Sequence, residues 1–308
     1  MRKGPLRAVG WAFAVVVVIF ASRSVAANWA RLQAQPVEWT LRPLPIMGAL
    51  VLTWAMYALL VQAWRVMLAG WGERLAPLPA ARIWTLSSLG KYIPGQVWAI
   101  AGMAVMAQRA GIAAWAATAS SVLLQGLAVG TGAVVLGLTG LSLLDTSYPW
   151  IRGAVLLLVA ASAAGVLLML WPPFIRRALG LLRVPVGERS TPRLAAVLFG
   201  LVANVIAWLG YGAALWLLAR GVLPGTRLEL AQAIGGLVAS YLAGFLALGV
   251  PAGVFVREAV FITMMQSILG PVAALVLALV ARLVATAAEF GAAAPFLIHR
   301  GESTRVAT

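Results

Sequence analysis

Apolar residues recur along the chain in runs of about 20, separated by short polar or basic stretches. A helix of that length crosses roughly 30 Å of hydrocarbon. Six stretches predict full spans: 8–27, 44–69, 115–141, 150–171, 194–219 and 271–298. Two further stretches, 83–107 and 229–269, are apolar but broken by Pro and Gly. The expected fold class is an all-α polytopic membrane protein, with about six full spans and two Pro/Gly-broken re-entrant helix pairs, of inverted-repeat transporter type. The first segment also has signal-peptide features, with Arg2-Lys3, an apolar run and Val25-Ala26-Ala27. Arg23 falls late for such a peptide, and the polytopic pattern needs a first span.

Arg and Lys set the orientation, because cytoplasmic loops carry the excess of basic residues. Arg2, Lys3 and Arg7 place the N-terminus inside. The loop 172–193 holds Arg176, Arg177, Arg183, Arg189 and Arg193 against Glu188, and is expected to be cytoplasmic. Parity then requires 83–107 to enter and leave on one side, as a re-entrant pair. The stretch 229–269 must start and finish outside, as a second re-entrant pair or as two full spans. Both termini are expected in the cytoplasm of a bacterial inner membrane.

The two broken stretches resemble each other. The first reads Leu89-Gly90-Lys91-Tyr92-Ile93-Pro94-Gly95-Gln96-Val97-Trp98, the second Leu248-Gly249-Val250-Pro251-Ala252-Gly253-Val254-Phe255-Val256-Arg257-Glu258. Pro94 and Pro251 lie 157 positions apart, and the same shift carries span 115–141 onto 271–298. The chain therefore reads as one integral membrane domain, 1–308, with pseudo-repeat halves at about 44–141 and 194–298. Three full spans between the breaks would invert one half relative to the other. Discontinuous helices at corresponding positions of inverted halves mark transporter binding sites. The plainer reading is that Gly and Pro are frequent in membrane helices anyway.

A proline lacks an N–H, ends a preceding helix and suits the first turn of a new one. New helix starts after Pro94 and Pro251 would turn free N–H groups of Gln96, Val97, Val254 and Phe255 into a cavity, where an anion such as phosphate is favoured. Gly95 and Gly253 would let a ligand approach the backbone. Unwound backbone at membrane depth is tolerated only where it lines a cavity or is buried in protein.

Ionisable residues at depth cost at least about 2.5–3.5 kcal/mol each at the bilayer centre and ask for a reason. Lys91 and Arg257 would neutralise a phosphate; the plainer reading has Lys91 snorkel to the cytoplasmic face. Glu258 would pair with Lys91 or Arg282, or couple to protons. Arg282 and Glu289, seven positions apart in the last span, would brace a helix interface or line the pathway, as would Gln125 and Asn204 within other spans. Arg65 reads as a snorkelling anchor. Trp29, Trp39, Trp71, Trp84, Trp150 and Trp171 sit near span ends, where an aromatic belt is expected. Trp98 follows the first break and would either wall the cavity or pack. Gly126, Gly130, Gly132, Gly235 and Gly236 favour close helix packing.

Composition narrows the function classes. The 308 residues are 63% hydrophobic and 10% charged, with a mean hydropathy of +0.97. A soluble domain carries roughly 25% charged residues. There is no cysteine and one histidine, His299, which leaves no thiolate metal site and no Ser-His-Asp triad at membrane depth. No metal or cofactor is expected. The net charge of +15 fits the cytoplasmic basic bias better than nucleic-acid binding, since no basic stretch lies on a polar soluble face. No P-loop is present.

The segment Leu89–Trp98 resembles the signature of the lysylphosphatidylglycerol synthase transmembrane, or flippase-like, domain family. The segment Pro251–Glu258 resembles that family's second motif, commonly Pro-Gly-Gly-hydrophobic-Gly-x-Arg-Glu, and departs from it at Ala252 and Phe255. The resemblance implies a relative of the flippase half of multiple peptide resistance factors, which moves aminoacylated phosphatidylglycerol between leaflets. The last predicted span ends ten residues before Thr308, so that family's soluble synthase domain is not expected.

The expectation that follows is a non-enzymatic lipid translocator. Its candidate substrate contacts are Lys91, Pro94, Gly95, Gln96, Pro251, Gly253, Arg257 and Glu258. The membrane lipid is its partner, with an envelope glycosyltransferase or lipid-modifying enzyme as a further one. Two alternatives stand beside it: a non-transporting membrane partner of an envelope enzyme, and an intramembrane glycosyl or lipid transferase, for which Glu258 and Glu289 are the plausible carboxylates.

Overall fold

The structure, a computed structural model, describes residues 38–92, 97–140, 143, 149–181, 191–247 and 253–298. Within them the chain forms ten α-helices and no strand: α1 (Pro43–Trp71), α2 (Pro77–Ser88), α3 (Val97–Arg109), α4 (Ala114–Thr139), α5 (Pro149–Leu168), α6 (Pro172–Leu181), α7 (Leu194–Val222), α8 (Leu230–Leu246), α9 (Val256–Leu269) and α10 (Pro271–Ile298). Proline opens α1, α2, α5, α6 and α10, where its missing N–H costs no helical hydrogen bond. Helices satisfy every backbone group internally, as a bilayer interior demands.

Four helices, α1, α4, α7 and α10, are long and apolar enough to cross a membrane. Helices α5 and α6 form a fifth candidate, bent by 103° between Val159–Leu168 and Pro172–Leu181. The protein is thus a membrane-embedded helical protein, and the expected spans 44–69, 115–141, 194–219 and 271–298 fall on its four long helices. The expected span 8–27 lies outside the described residues. One expectation needs correcting: the loop 172–193 is helical over its first half. Pro172-Pro173 starts a helix whose Ile175 and Leu179 are buried while Arg176 and Arg177 are exposed. That four-residue spacing puts both apolar residues on one face.

The stretch 83–107 is divided between α2 and α3, with a 3-10 turn at Leu89–Tyr92. These helices have 12 and 13 residues, or roughly 18–20 Å each, too short to cross alone. The stretch 229–269 is divided between α8 and α9, of 17 and 14 residues. The two arms pack against each other in both cases. In the first pair, a Cβ on Gly90 would come within 2.9 Å of the Trp98 and Ala99 backbone, so the turn presses on the start of α3. In the second, Gly253 has φ +65° and its Cβ would lie 2.7 Å from Gly244 Cα. A Cβ on Gly244 would in turn strike the Arg257 side chain.

The residues just before Val97, from which α3 is described, lie outside the described residues. The second of the new helices starts later than its proline predicts: α9 begins at Val256, five residues after Pro251. Val254 and Phe255 therefore occupy a turn ahead of α9 rather than its first turn. Phe255 is the single non-glycine residue with positive φ among the described residues, at +67°. This is the position where the motif it resembles carries glycine, and a bulky side chain there holds strained backbone.

Helices α1 and α7 pack along much of their length, with Trp64, Met67 and Leu68 fully buried. Without a hydrophobic drive inside lipid, such contacts rest on close packing and small residues. The glycines expected to serve this role do so. Gly126 faces Met169, Gly130 faces Val166, Gly132 faces Trp208, Gly235 abuts Gly140 and Gly236 faces Met265. Trp39 and Trp171 are exposed, as belt residues should be. Trp71 and Trp84 are not anchors: Trp71 is buried edge-on to Trp115 (5.5 Å between centroids), and Trp84 tilts against Trp64 (6.2 Å). Both lie on helix faces turned inward rather than to lipid. Arg65 donates from Nε to the Leu75 carbonyl (3.0 Å), tying α1 to the link that follows it.

Gly253→Ala is expected to lower the thermal unfolding midpoint in detergent, because left-handed backbone costs about 1–2 kcal/mol for a residue with a Cβ and the methyl group meets Gly244. Gly165→Ala, whose methyl group meets nothing within 4 Å, is expected to leave the midpoint unchanged or raise it.

Candidate functional site

The long helices and the two broken pairs surround a cavity of about 630 Å³, within the range typical of small-molecule sites. Lys91, Gln125, Asn204, Gly253, Arg257, Glu258, Arg282 and Glu289 all line it. Eight of the twelve residues singled out from sequence thus share one hollow. Pro94, Gly95, Gln96 and Pro251 lie outside the described residues. Trp98 does not line the cavity and is 45% exposed.

Each charged lining residue comes from an element placed by the breaks or by a long helix. The 3-10 turn carries Lys91, the first turn of α9 carries Arg257 and Glu258, and α10 carries Arg282 and Glu289 two turns apart. Turning them inward avoids the cost of exposing charge to lipid. The Lys91 ammonium ion-pairs with Glu289 rather than with Glu258. The same carboxylate accepts from Tyr92 (2.8 Å) and Tyr57 (3.3 Å). Beside it, Trp54 Nε1 donates to the Ala288 carbonyl (2.9 Å), and the Tyr92 hydroxyl lies 3.3 Å from Thr286 Oγ1. These contacts fasten α1 and the first broken pair to α10.

Glu258 faces Arg282, with Nε 3.9 Å from Oε1. Its other oxygen, Oε2, is buried without a hydrogen-bond partner among the described residues. Glu258 also sits in the first turn of α9, where a negative charge meets the positive end of the helix dipole. The helix start expected to hold a ligand anion thus already carries a carboxylate of its own.

Arg257 is arranged differently. Its guanidinium lies 4.1 Å from the centre of the Tyr241 ring, and its Nε is buried with no acceptor among the described residues. Among the described residues it makes no ion pair. Stacking on an aromatic face leaves the guanidinium edge free to donate in its plane. The lining holds three basic and two acidic side chains, a surplus of one positive charge. With Lys91 held by Glu289 and Arg282 beside Glu258, that surplus falls on Arg257.

Tyrosine is the residue type that the sequence reading missed. The chain has five, and Tyr57, Tyr92, Tyr211 and Tyr241 all line the cavity. Tyr57 packs edge-on to Tyr211 (6.0 Å), and Tyr241 packs on Trp208 (5.0 Å). The available signal was position: three of them lie well inside long apolar stretches, whereas belt tyrosines lie at the ends. Asn204 is buried, and its amide donates to the Gly200 carbonyl one turn back (2.8 Å).

No family model matches the chain, and no curated protein is significantly similar to it. The likeness to the flippase-like family therefore rests on the two quoted motifs.

Removing one partner of a buried ion pair strands the other, at a cost of about 3–5 kcal/mol when burial is complete. Lys91 keeps 35% of its side-chain exposure, so Lys91→Met or Glu289→Gln alone is expected to cost about 2 kcal/mol. The double variant should recover most of that loss. Unfolding midpoints of the four proteins in one detergent test this; strictly additive losses would show that the pair is not coupled.

Proposed function

We propose that this protein is a flippase-like lipid translocator of the bacterial inner membrane, whose cavity receives an anionic phospholipid or lipid-linked sugar by its phosphate. The observation that carries the reading is Arg257: a cation inside a membrane protein, stacked on Tyr241, with a buried donor lacking an acceptor. A buried donor left unmade costs roughly 1–3 kcal/mol, and a phosphodiester oxygen would satisfy it while cancelling the surplus charge. Lys91 and Gly253 border the same hollow and would contact the rest of the head group. Glu258 Oε2 would accept from a hydroxyl or amine on it.

The order of helix lengths supports an inverted repeat. A long, a short, a break, a short and a long helix occur as α1–α4 and again as α7–α10. Val97 to Val256 is a shift of 159 and Ala114 to Pro271 one of 157, close to the spacing of the two prolines. On this reading α5 and α6 link the halves, α6 lies at the cytoplasmic face, and both termini are cytoplasmic. Alternating access would rock one half against the other. The Glu289 cluster joins the halves on one side of the cavity, so its opening is the step that releases them. Facilitated movement or an ion gradient would drive the cycle.

Liposomes containing the protein and labelled phosphatidylglycerol test the reading. Protein-dependent movement between leaflets is expected, with Arg257→Ala reducing it by about tenfold or more, as loss of a charge-assisted hydrogen bond implies. Arg257→Lys, which keeps charge but loses the planar fork, should fall between. Equal movement in empty and protein-containing vesicles would end the proposal.

A further inference from the structure

A second hollow of about 470 Å³ lies between α3, α4, α5 and α8. It opens more widely to the outside than the main cavity and is lined almost wholly by apolar and small residues, among them Val122, Val129, Val166 and Met169. Ile100, Gln125 and Phe245 border both hollows, so the two adjoin. Phe245 directly follows Gly244, the residue across which the Arg257 side chain lies.

We propose that this groove is the tail site of the translocated lipid: one hydrocarbon chain lies in it, bordered by α3, α4, α5 and α8, while the phosphate rests at Arg257. The inference deepens the lipid reading and depends on it. The chemistry changes along the path as a lipid's own chemistry does. Charged and aromatic groups surround the head position, Gln125 stands at the junction with its amide available to an ester or glycosidic oxygen, and the groove beyond is aliphatic. A chain entering from the bilayer would not have to leave hydrocarbon while its head group enters the cavity. Gly165 leaves room for it: a Cβ built there meets nothing within 4 Å.

The groove can therefore be filled without disturbing its walls. Gly165→Phe would occupy it, whereas Gly153→Phe places the same ring on the same helix, also in open space, at a residue that lines neither hollow. Binding of dioleoyl and dihexanoyl phosphatidylglycerol to purified protein in detergent separates head from tail. Gly165→Phe is expected to weaken the long-chain lipid on the order of tenfold, leave the short-chain lipid within about twofold, and differ in this from Gly153→Phe. An unchanged preference for the long chain in Gly165→Phe would overturn the inference while leaving the head-group reading standing. Wild-type protein binding neither lipid would overturn both. Unmodified protein gives a second readout: phosphatidylglycerol with a mid-chain diazirine should label peptides containing Val129 or Val166, and unlabelled phosphatidylglycerol should compete. Labelling spread over outward helix faces without competition would assign the groove to bulk lipid.

Discussion

A charge carried into a bilayer must find an opposite charge, a hydrogen-bonding group or water, and that constraint organises the interior of this protein. Five acidic or basic side chains face one cavity. Glu289 is the most heavily used: Lys91, Tyr57 and Tyr92 all converge on it. Because these partners come from α1 and the first broken pair, settling the charge of one carboxylate also fixes how those elements sit against α10. The second pair, Glu258 with Arg282, ties α9 to α10 in the same manner but more loosely. What remains after both pairings is the Arg257 guanidinium, held in place by a ring face rather than by a carboxylate.

The broken helices make this arrangement possible. A continuous span would distribute side chains around its whole circumference and leave no polar backbone at depth. Short arms that fold back bring a turn, rather than a helix flank, to the cavity. Gly90 and the Gly244–Gly253 approach allow the arms to come that close. Phe255 keeps a backbone conformation suited to glycine, so the second turn is held under strain by the packing around it. On the proposed reading, such a turn beside Arg257 is well placed to change shape as a head group enters or leaves.

Much of this was legible in the sequence. Runs of 20 apolar residues suffice to place the four long helices, since hydrocarbon thickness sets their length. The cost of exposing charge to lipid suffices to bring Lys91, Arg257, Glu258, Arg282 and Glu289 to a common interior. Glu258 with Arg282 is one of the two pairings expected for that carboxylate, but that Lys91 meets Glu289 was not legible, because the two are 198 positions apart and their meeting depends on how the first broken pair docks on α10. The tyrosines were overlooked because their hydroxyl groups resemble interfacial anchors until their depth is known. The helix within 172–181 was hidden by its basic residues, which read as a loop although Ile175 and Leu179 already carried a helical spacing. The start of α9 shifted because a proline permits a helix start without requiring one.

On the proposed reading the cavity holds one negative charge, balanced by Arg257. Native mass spectrometry of the protein released from mild detergent tests it most directly. The account predicts one tightly retained anionic lipid per protein chain, absent from an Arg257→Met variant that otherwise behaves identically. Retention of zwitterionic lipid alone, or an identical lipid complement on both proteins, would contradict it.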